Sequence, residues 1–394
     1  MSSAEPAAFP FAESTTVEGA GARYRQLRQN QGPLPVRLPH GGTAWLVSRY
    51  EDVESVLRDP RFSRELAGDA VSEVMPSLLV RTSLLSLDAI DHDRIRACVA
   101  PLFTREAAEA LRPRIRKLVR ARTDAFPPDA HPFDGVAAYS LPVPVDVISE
   151  VLGVPAADRE QFYLWADLAI SSDALPAAVY AAHDDLLGYF ATAPKQGADQ
   201  PSAGLRTGLA RMVDAGRLSH EAAVSLLPLL LVAGYETSVG QLGFYLLDLA
   251  TRPEHHAALR QHPDRIPEAV TTYLRTVPYN VIGGALARVA REAVQIGSVT
   301  IAADETVIPS VEAANMQTLS MSSRPDHLSF GAGLHACLGS WLAQLELEEA
   351  VFGIASGFES IELAVELEEL RLKEGSVVRS LQTLPLLARR TTDH

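Results

Sequence analysis

Phe330-Gly331-Ala332-Gly333-Leu334-His335-Ala336-Cys337-Leu338-Gly339 is the stretch that decides the fold of this chain. It places one cysteine in a glycine-rich turn, directly before a run of apolar residues with helical spacing. Three glycines in nine residues allow the backbone to pass close to a flat, bulky partner. The helix N-terminus behind Cys337 carries partial positive charge and free N–H groups, which favour a thiolate over a thiol. A lone thiolate held in this way suits the axial ligand of a haem iron.

The stretch resembles the haem-binding loop of the cytochromes P450, whose pattern is Phe-x-x-Gly-x-x-x-Cys-x-Gly. Four residues match that pattern at the right spacing: Phe330, Gly333, Cys337 and Gly339. The resemblance implies that Cys337 ligates the iron of haem b (iron protoporphyrin IX), with the other three residues shaping the loop. The alternative is a buried, inert cysteine at a helix start, which is the usual state of an isolated free cysteine. The joint pattern favours the haem loop, because the glycines and the phenylalanine have no other common reason to be there.

The charge balance argues against one broad class of partner. The 394 residues include 35 lysines and arginines and 49 aspartates and glutamates, for a formal net charge of −14. Such an acidic chain is unsuited to general binding of nucleic acid or of an anionic membrane. Hydrophobic residues make up 47% of the chain, which is enough for a large core.

Cysteine usage and targeting signals favour a cytoplasmic protein. The two cysteines, Cys98 and Cys337, make a disulfide framework implausible, and Cys98 is expected to be a small core residue. The first residues lack the basic and apolar regions of a secretory signal. The longest apolar run, 222–235, is shorter than the roughly 20 residues that span a bilayer, so it predicts a buried core helix. We therefore expect no membrane association.

Helical periodicity dominates, and strand signals are short and sparse. Helices are predicted at 51–58, 94–103, 105–126, 145–152, 176–190, 219–250, 267–275 and 339–355. Strands are predicted at 43–47, 299–301 and 306–308 and in the tail near 377–388, and 192–205 is predicted to be a surface loop. Without a linker or an internal repeat, residues 1–394 are expected to form one mainly α domain with a minor β region. The order of elements resembles the cytochrome P450 fold along nearly the whole chain, which implies a triangular helical prism around haem.

The predicted helix 219–250 carries a glycine, an acid and a hydroxyl close together. An interior helical glycine costs about 0.8–1.0 kcal/mol relative to alanine, so we expect Gly234 to leave room for a ligand. The stretch resembles the family's Ala-Gly-x-Glu-Thr motif, matched at Ala233, Gly234, Glu236 and Thr237. The resemblance implies that Thr237 hydrogen-bonds dioxygen and that Glu236 relays the protons that oxygen activation consumes. The simpler alternative is that Glu236 is a helix-face charge and that Thr237 bonds back to the preceding turn.

Haem carries two propionates, so the fold needs cationic donors near them. His92 and Arg96 lie four residues apart, a spacing that on a helix points both side chains the same way. They resemble the family's His-x-x-x-Arg pair, and Arg288 and His335 match two further positions of propionate donors. Each residue alone is more often a surface or structural residue, but the four together predict a propionate site.

The chain departs from the family before the cysteine loop. The family usually has Glu-x-x-Arg here, and Arg275 fits while the glutamate position holds Thr272. Glu268 lies about 10 Å away along the helix and cannot substitute. The segment leading to Phe330 is also shortened, and Arg324 aligns past the arginine that usually joins the pair. Removing one partner of a buried ion pair lowers protein stability by about 3–5 kcal/mol, whereas removing all the charged partners together can leave stability nearly unchanged. Because Arg275 remains, we expect it to bond backbone carbonyls or a new acid.

The resemblance also implies partners: a small-molecule substrate, O2, and an acidic iron–sulfur ferredoxin with its reductase as electron donors. One basic stretch is a candidate docking surface, although a solvated helix face is the commoner cause; it comprises Arg112, Arg114, Arg116, Lys117, Arg120 and Arg122. The family's substrate-contacting segments correspond to 63–87, 230–237, 277–284 and 380–384. They are mostly apolar, which indicates a mid-sized, largely apolar natural product; the polar candidates are Ser83, Ser86, Asn280, Gln382 and Thr383.

The leading interpretation is a haem-thiolate monooxygenase. The first alternative is a cytochrome P450 that catalyses oxidative coupling or another non-hydroxylating oxidation, and nothing in the sequence separates the two. The second is a non-catalytic haem-binding or partner-recruiting domain, which the altered Glu-x-x-Arg region keeps open. The set Gly234, Glu236 and Thr237 argues against a scaffold, because a scaffold does not need it.

Overall fold

The computed structural model describes most of the chain. The described residues are 6–11, 16–17, 19–27, 32–38, 42–67, 84–129, 131–169, 171, 174–192, 205–278, 287–321, 323, 325–376 and 378–391. Several predicted features therefore lie outside the described residues: Ser83, Asn280, Arg324 and the loop 193–204.

Helices dominate this part of the chain, as predicted. They are α1 (Gly19–Leu27), α2 (Tyr50–Arg58), α3 (Ala89–Val99), α4 (Arg105–Asp124), α5 (Pro142–Leu152), α6 (Arg159–Ala169), α7 (Pro176–Thr192), α8 (Leu205–Asp214), α9 (His220–Thr251), α10 (Pro253–Gln261), α11 (Ile266–Thr276), α12 (Val311–Thr318) and α13 (Ser340–Gly357). Hydroxyl caps start several of them: the Thr104 side chain accepts from the Ala107 N–H at 3.2 Å, and Ser219 from the Ala222 N–H at 3.1 Å. Such caps satisfy N–H groups that have no partner within the helix.

The strands form small sheets at the side of the helices. They are β1 (Ala7–Ala8), β2 (Leu34–Arg37), β3 (Thr43–Val47), β4 (Phe62–Ser63), β5 (Phe133–Asp134), β6 (Arg288–Ala290), β7 (Val294–Ile296), β8 (Val299–Ile301), β9 (Thr306–Pro309), β10 (Phe358–Leu363) and β11 (Pro385–Arg390). Among the described residues, the largest sheet has the order β1-β2-β3-β9-β6-β4, and β10-β11-β5 and β7-β8 form two smaller ones. The mainly α fold with a minor β region is confirmed.

Helix α9 is the central rod of the largest apolar core. It packs against α5, α13 and β10, and most of its residues from Leu226 to Ala250 are buried. It is also the helix, within the described part of the chain, that is long and apolar enough to cross a membrane. Its packing inside the protein and its buried Glu236 mark it as a core helix, as predicted.

The prediction missed elements with weak local signals. The elements that were not predicted are helices α1, α6, α8, α10 and α12 and strands β1, β2, β4, β5, β6, β7 and β10. Helix α3 starts at Ala89 rather than at residue 94. The short helix α12 contains the sequence Ala-Ala-Asn and is almost entirely buried, so no amphipathic period is present to reveal it. This helix carries Asn315 and Thr318, which bond residues next to the cysteine loop and on α11.

Candidate haem site

The cysteine loop is a series of tight turns that ends where α13 begins. The Cys337 N–H donates to the Phe330 carbonyl at 2.7 Å, and the Gly331 N–H donates to the Leu328 carbonyl at 2.8 Å. The Cys337 thiol is accessible to solvent although it lies deep in the fold. Burial among protein atoms raises its pKa, while the Gly339 N–H and the positive charge of Arg96 oppose that rise. Both opposing groups favour the thiolate over the thiol.

Gly333 is required by the backbone of this loop. Its φ is +70°, in the left-handed region that side chains other than glycine rarely adopt. A Cβ at this position would lie 2.6 Å from the Leu57 carbonyl oxygen and 2.9 Å from the Arg58 Cα. The loop therefore rests directly on the end of α2. Gly339, in contrast, has a φ of −90°, and a Cβ added there would meet no heavy atom within 4 Å.

The four predicted propionate donors lie in one cluster beside the cysteine loop. The His92 and His335 rings are 4.6 Å apart, edge to face. Burial lowers the pKa values of His92 and His335; the charge of Arg96 adds to the lowering in His92, and that of Arg288 adds to it in His335. The charge of Arg96 also favours the thiolate of Cys337. His92 and Arg288 are buried, at 1% and 2% exposure.

Sequence reasoning missed two members of this cluster, Arg64 and Asp88. Arg64 is buried, and its Nε and Nη1 donate to the carbonyls of Leu85 and Ala287 at 3.0 and 2.9 Å. Asp88 precedes α3 and accepts from the Arg64 N–H at 3.1 Å and from Arg291 Nη2 at 2.6 Å. Neither residue belongs to one of the motifs found in the sequence, because the contacts that place them join segments far apart in the chain.

The donor set fits a haem with two propionates. His335 Nε2 is buried and has no hydrogen-bond partner, since the nearest Asp88 oxygen is 3.8 Å away. A buried donor of this kind costs free energy unless a ligand satisfies it. Burial also lowers the pKa of Arg64 to about 10 and that of Arg288 well below its usual range. Negatively charged carboxylates would relieve both costs.

Glu236 is not the exposed helix-face charge of the simpler alternative. Its side chain is buried, and the Ser376 hydroxyl donates to Oε1 at 2.9 Å. Burial raises the pKa of Glu236 to about 7; the Ser376 hydrogen bond and the charge of Lys373 oppose the rise, and Asp167 adds to it. A carboxyl pKa raised towards neutrality suits proton transfer in either direction.

Thr237 bonds back to the preceding turn, as in the simpler alternative. The expectation that Gly234 leaves room for a ligand is wrong. The Thr237 hydroxyl donates to the Ala233 carbonyl at 2.9 Å, one turn back. A Cβ on Gly234 would lie 2.5 Å from Ile148 Cδ1, so this glycine allows close packing of α9 on α5 instead of leaving room for a ligand. On the same helix, Ala233 is exposed and Thr237 partly exposed among buried neighbours, so these two residues face accessible space.

A cavity of about 350 Å³ reaches Glu236 from the side of α6 and the C-terminal hairpin 372–381. Its polar lining includes Tyr163, Asp167, Lys373 and Gln382, and Lys373 Nζ is paired with Asp167 Oδ1. Gln382 was predicted as a polar substrate contact, and here it shares a cavity with the proton-relay candidate. Among the other polar candidates, Ser86 is buried and Thr383 exposed.

Two described contacts of Arg275 are with neutral groups, and one of them is the expected backbone carbonyl. Its Nη1 donates to the Thr318 hydroxyl at 2.7 Å and to the Pro325 carbonyl at 2.8 Å. The side chain is buried, whereas Thr272, at the family's glutamate position, is exposed.

The buried amide of Asn315 extends this network to the cysteine loop. Asn315 Oδ1 accepts from the Leu328 N–H at 2.7 Å, and its Nδ2 donates to the Ser329 hydroxyl at 2.9 Å. Ser329 in turn donates to the Leu274 carbonyl at 2.7 Å. Helices α11 and α12 and the segment before Phe330 are thus joined by uncharged hydrogen bonds in addition to those of Arg275.

The arginines of the basic stretch on α4 are paired with carboxylates, whereas Lys117 is exposed. Arg112 bonds Glu349 at 2.7 Å, and Arg122 bonds Asp146 at 2.6 Å. The remaining arginines of the stretch are also ion-paired. The pairs with Asp146, Glu150 and Glu349 attach α4 to α5 and α13, so the stretch is a structural helix face rather than a free basic patch.

The comparisons with known proteins agree with this geometry. No protein-family model matches the chain. Nocardicin C N-oxygenase of Nocardia uniformis subsp. tsuyamanensis is 35% identical over 399 residues, which cover 98% of this chain and 100% of that protein. Mycinamicin IV hydroxylase/epoxidase of Micromonospora griseorubida is 36% identical over 401 residues, with 98% and 100% covered. The solved structure of the mixed-function P450 MycG has a TM-score of 0.86 at 34% identity, with 97% and 100% covered.

Two independent comparisons, by sequence and by structure, thus extend across nearly the whole chain. The chain therefore belongs to the cytochrome P450 family and is a haem oxidoreductase of the monooxygenase type.

Proposed function

We propose that this cytochrome P450 oxidises a mid-sized, largely apolar natural product in the cytoplasm, using O2 and electrons from an iron–sulfur ferredoxin and its reductase. The observation that carries the proposal is the position of Cys337, which lies in a preorganised loop beside buried cationic donors. The curated relatives are named for oxidations of nocardicin C and mycinamicin IV, which supports the substrate class.

Each predicted site residue has a role in this proposal. Cys337 ligates the iron of haem b, and Phe330, Gly333 and Gly339 shape the loop around it. The propionates are bound by the cluster of His92, Arg96, Arg288 and His335. When bound, the haem supplies oxygen activation, and the chain supplies the protons for it.

Glu236 and Thr237 form the proton relay of the proposal. Glu236 exchanges protons with solvent through the cavity at α6, and the Ser376 hydroxyl orients its carboxyl group. The Thr237 hydroxyl, which bonds the Ala233 carbonyl here, rotates to pass a proton towards the accessible side of α9. Gly234 contributes only by allowing α5 to pack tightly against the helix.

The Glu236→Gln variant should lower the rate of substrate oxidation by about 100-fold, because it removes the acid while keeping the shape of the side chain. Rates are measured across neutral pH with the haem spectrum as a control for the integrity of the site. The Ser376→Ala variant keeps the acid but loses a hydrogen bond that lowers its pKa, so the pH profile should shift to higher pH. Turnover of Glu236→Gln at the parental rate, with an unchanged pH profile, would exclude this role.

The ferredoxin is proposed to dock near the start of α13. Trp341, four residues after Cys337, has 44% of its surface exposed, and the exposed Arg105 guanidinium lies 5.3 Å from its ring centroid. An exposed aromatic side chain stacked with arginine suits an acidic partner. We propose this small surface for docking in place of the basic stretch on α4, whose arginines are ion-paired with carboxylates.

The Trp341→Ala variant should weaken binding of a surrogate ferredoxin by roughly tenfold or more, since tryptophan truncation at an interface commonly costs about 2 kcal/mol. The measurement is the dependence of haem reduction rate on ferredoxin concentration. Tyr180→Ala is the matched control, because Tyr180 is an equally exposed aromatic residue on α7. Equal effects of the two substitutions would remove Trp341 from the docking surface.

Substrate-dependent oxygen consumption tests the proposed function as a whole. Compounds are first selected by optical titration, because displacement of the sixth-ligand water shifts the haem spectrum. We expect oxygen consumption with a surrogate ferredoxin and reductase, and a product heavier by one oxygen atom. A product that has lost hydrogens instead identifies oxidative coupling.

A second candidate, a non-catalytic haem-binding domain, is favoured by one observation. The family's glutamate position is the exposed Thr272, and the contacts described for Arg275 are with a hydroxyl and a backbone carbonyl. Absence of turnover with every compound that shifts the spectrum would support this candidate over the enzyme.

A further inference from the structure

One carboxylate, Asp88, joins segments of the chain that are far apart in sequence. The Ser63 hydroxyl of β4 donates to its Oδ2, and the Arg64 N–H donates to its Oδ1 at 3.1 Å. Arg291, just after β6, donates to Oδ2 at 2.6 Å, and His335 of the cysteine loop lies 3.8 Å from Oδ1. Asp88 itself immediately precedes α3, which carries His92 and Arg96.

The charges around Asp88 show why a carboxylate is needed there. Burial raises the pKa of Asp88, but its hydrogen bonds outweigh this effect and hold the pKa well below the usual range. Asp88 is therefore an anion at any ordinary pH. Burial lowers the pKa values of Arg64 and Arg288, and the two guanidinium groups repel each other. The negative charge of Asp88 opposes the lowering of the pKa in both arginines. Without it, two buried cations would be close together with less compensation.

The contacts divide the cations into two groups. The Arg291 guanidinium is bonded to Asp88 and to the Ser63 hydroxyl. The Arg64 guanidinium is bonded to the carbonyls of Leu85 and Ala287, and only its backbone N–H is bonded to Asp88. The predicted donor cluster supplies two further arginines for the propionates, Arg96 and Arg288.

We propose that Asp88 is a positioning residue of the haem site. Its carboxylate fixes the start of α3 against β4, β6 and the cysteine loop, and thereby holds the donor cluster in place for the propionates. The inference rests on the proposed function, since it requires haem at Cys337. Asp88 thereby contributes to haem retention and to the charge balance of the site without contacting the haem.

The Asp88→Asn variant keeps the shape of the side chain and removes its charge. In the haem-loaded protein, haem transfer to apomyoglobin should become at least tenfold faster. The ferric–ferrous potential should become more positive, because loss of a nearby negative charge disfavours the ferric state. Asp146→Asn is the matched control: Asp146 is also largely buried and bonded to an arginine, Arg122, at 2.6 Å, but it joins α4, α5 and α6. It should change neither quantity.

The Arg291→Gln variant distinguishes the effect of the charge of Asp88 from the effect of loosening the contacts around it. It removes a partner of Asp88 and leaves the carboxylate, so haem transfer should again be faster while the potential becomes more negative. This variant also decides the question if Asp88→Asn does not fold. Parental transfer rates and potentials in either folded variant would overturn the proposal and leave the function untouched, whereas failure of the parent protein to bind haem would overturn the function itself.

Discussion

Replacing Gly333 by alanine is expected to abolish haem loading. The positive φ of this residue costs an alanine about 1–2 kcal/mol. The added Cβ also meets the backbone of α2 at 2.6 and 2.9 Å, and backbone atoms at the end of a helix cannot move aside cheaply. The loop must therefore shift, and Cys337 shifts with it. Haem content per chain and the melting temperature of the purified protein measure the effect.

Gly188→Ala is the control for this substitution. Gly188 lies inside α7, on its exposed side, and a Cβ there meets no atom within 4 Å. Because alanine is favoured over an interior helical glycine by about 1 kcal/mol, this variant should be slightly more stable and should bind haem normally. Normal haem content in Gly333→Ala would show that the loop does not depend on its contact with α2.

The second large effect is expected from Arg275→Met. This substitution removes a buried guanidinium that bonds the Thr318 hydroxyl and the Pro325 carbonyl. Hydrogen bonds of charged groups contribute about 1.5–3 kcal/mol each, so the free energy of unfolding should fall by roughly 3–5 kcal/mol. Chemical denaturation of the haem-loaded protein measures the change.

Thr272→Glu is the companion to that variant, because it restores the family's glutamate. The described contacts of Arg275 are made with neutral groups, and substitutions away from buried networks usually change stability by no more than about 0.5 kcal/mol. We therefore expect almost no gain. A rise in the melting temperature of several degrees would contradict the neutral network described here, since it would show that Arg275 still needs a carboxylate partner.

The parts of the site that sequence predicts are those whose residues are neighbours in the chain. The cysteine loop combines its glycines, phenylalanine and cysteine within ten residues, and His92 and Arg96 are one helix turn apart. Local spacing decides such features. The prediction of the fold class succeeded for the same reason, because helical periodicity is strong in the long helices.

The parts that sequence did not predict depend on distant partners. Glu236 bonds Ser376, 140 residues later, and Asp88 bonds Arg291, 203 residues later. Gly234 was correctly singled out as unusual, but its cause is Ile148, on another helix. No local pattern contains these pairings, since they exist only after the helices have packed.

The reduced carbon monoxide adduct tests the central claim, that Cys337 is the thiolate ligand of the haem. The parent protein should give the thiolate-type Soret band of this adduct, and Cys337→Ala should lose it. Cys98→Ala is the matched control, because Cys98 is the other cysteine of the chain, buried, with its Sγ near the Arg94 and Arg217 carbonyls. We expect an unchanged band in Cys98→Ala, and persistence of the thiolate-type band in Cys337→Ala would show that Cys337 is not the ligand.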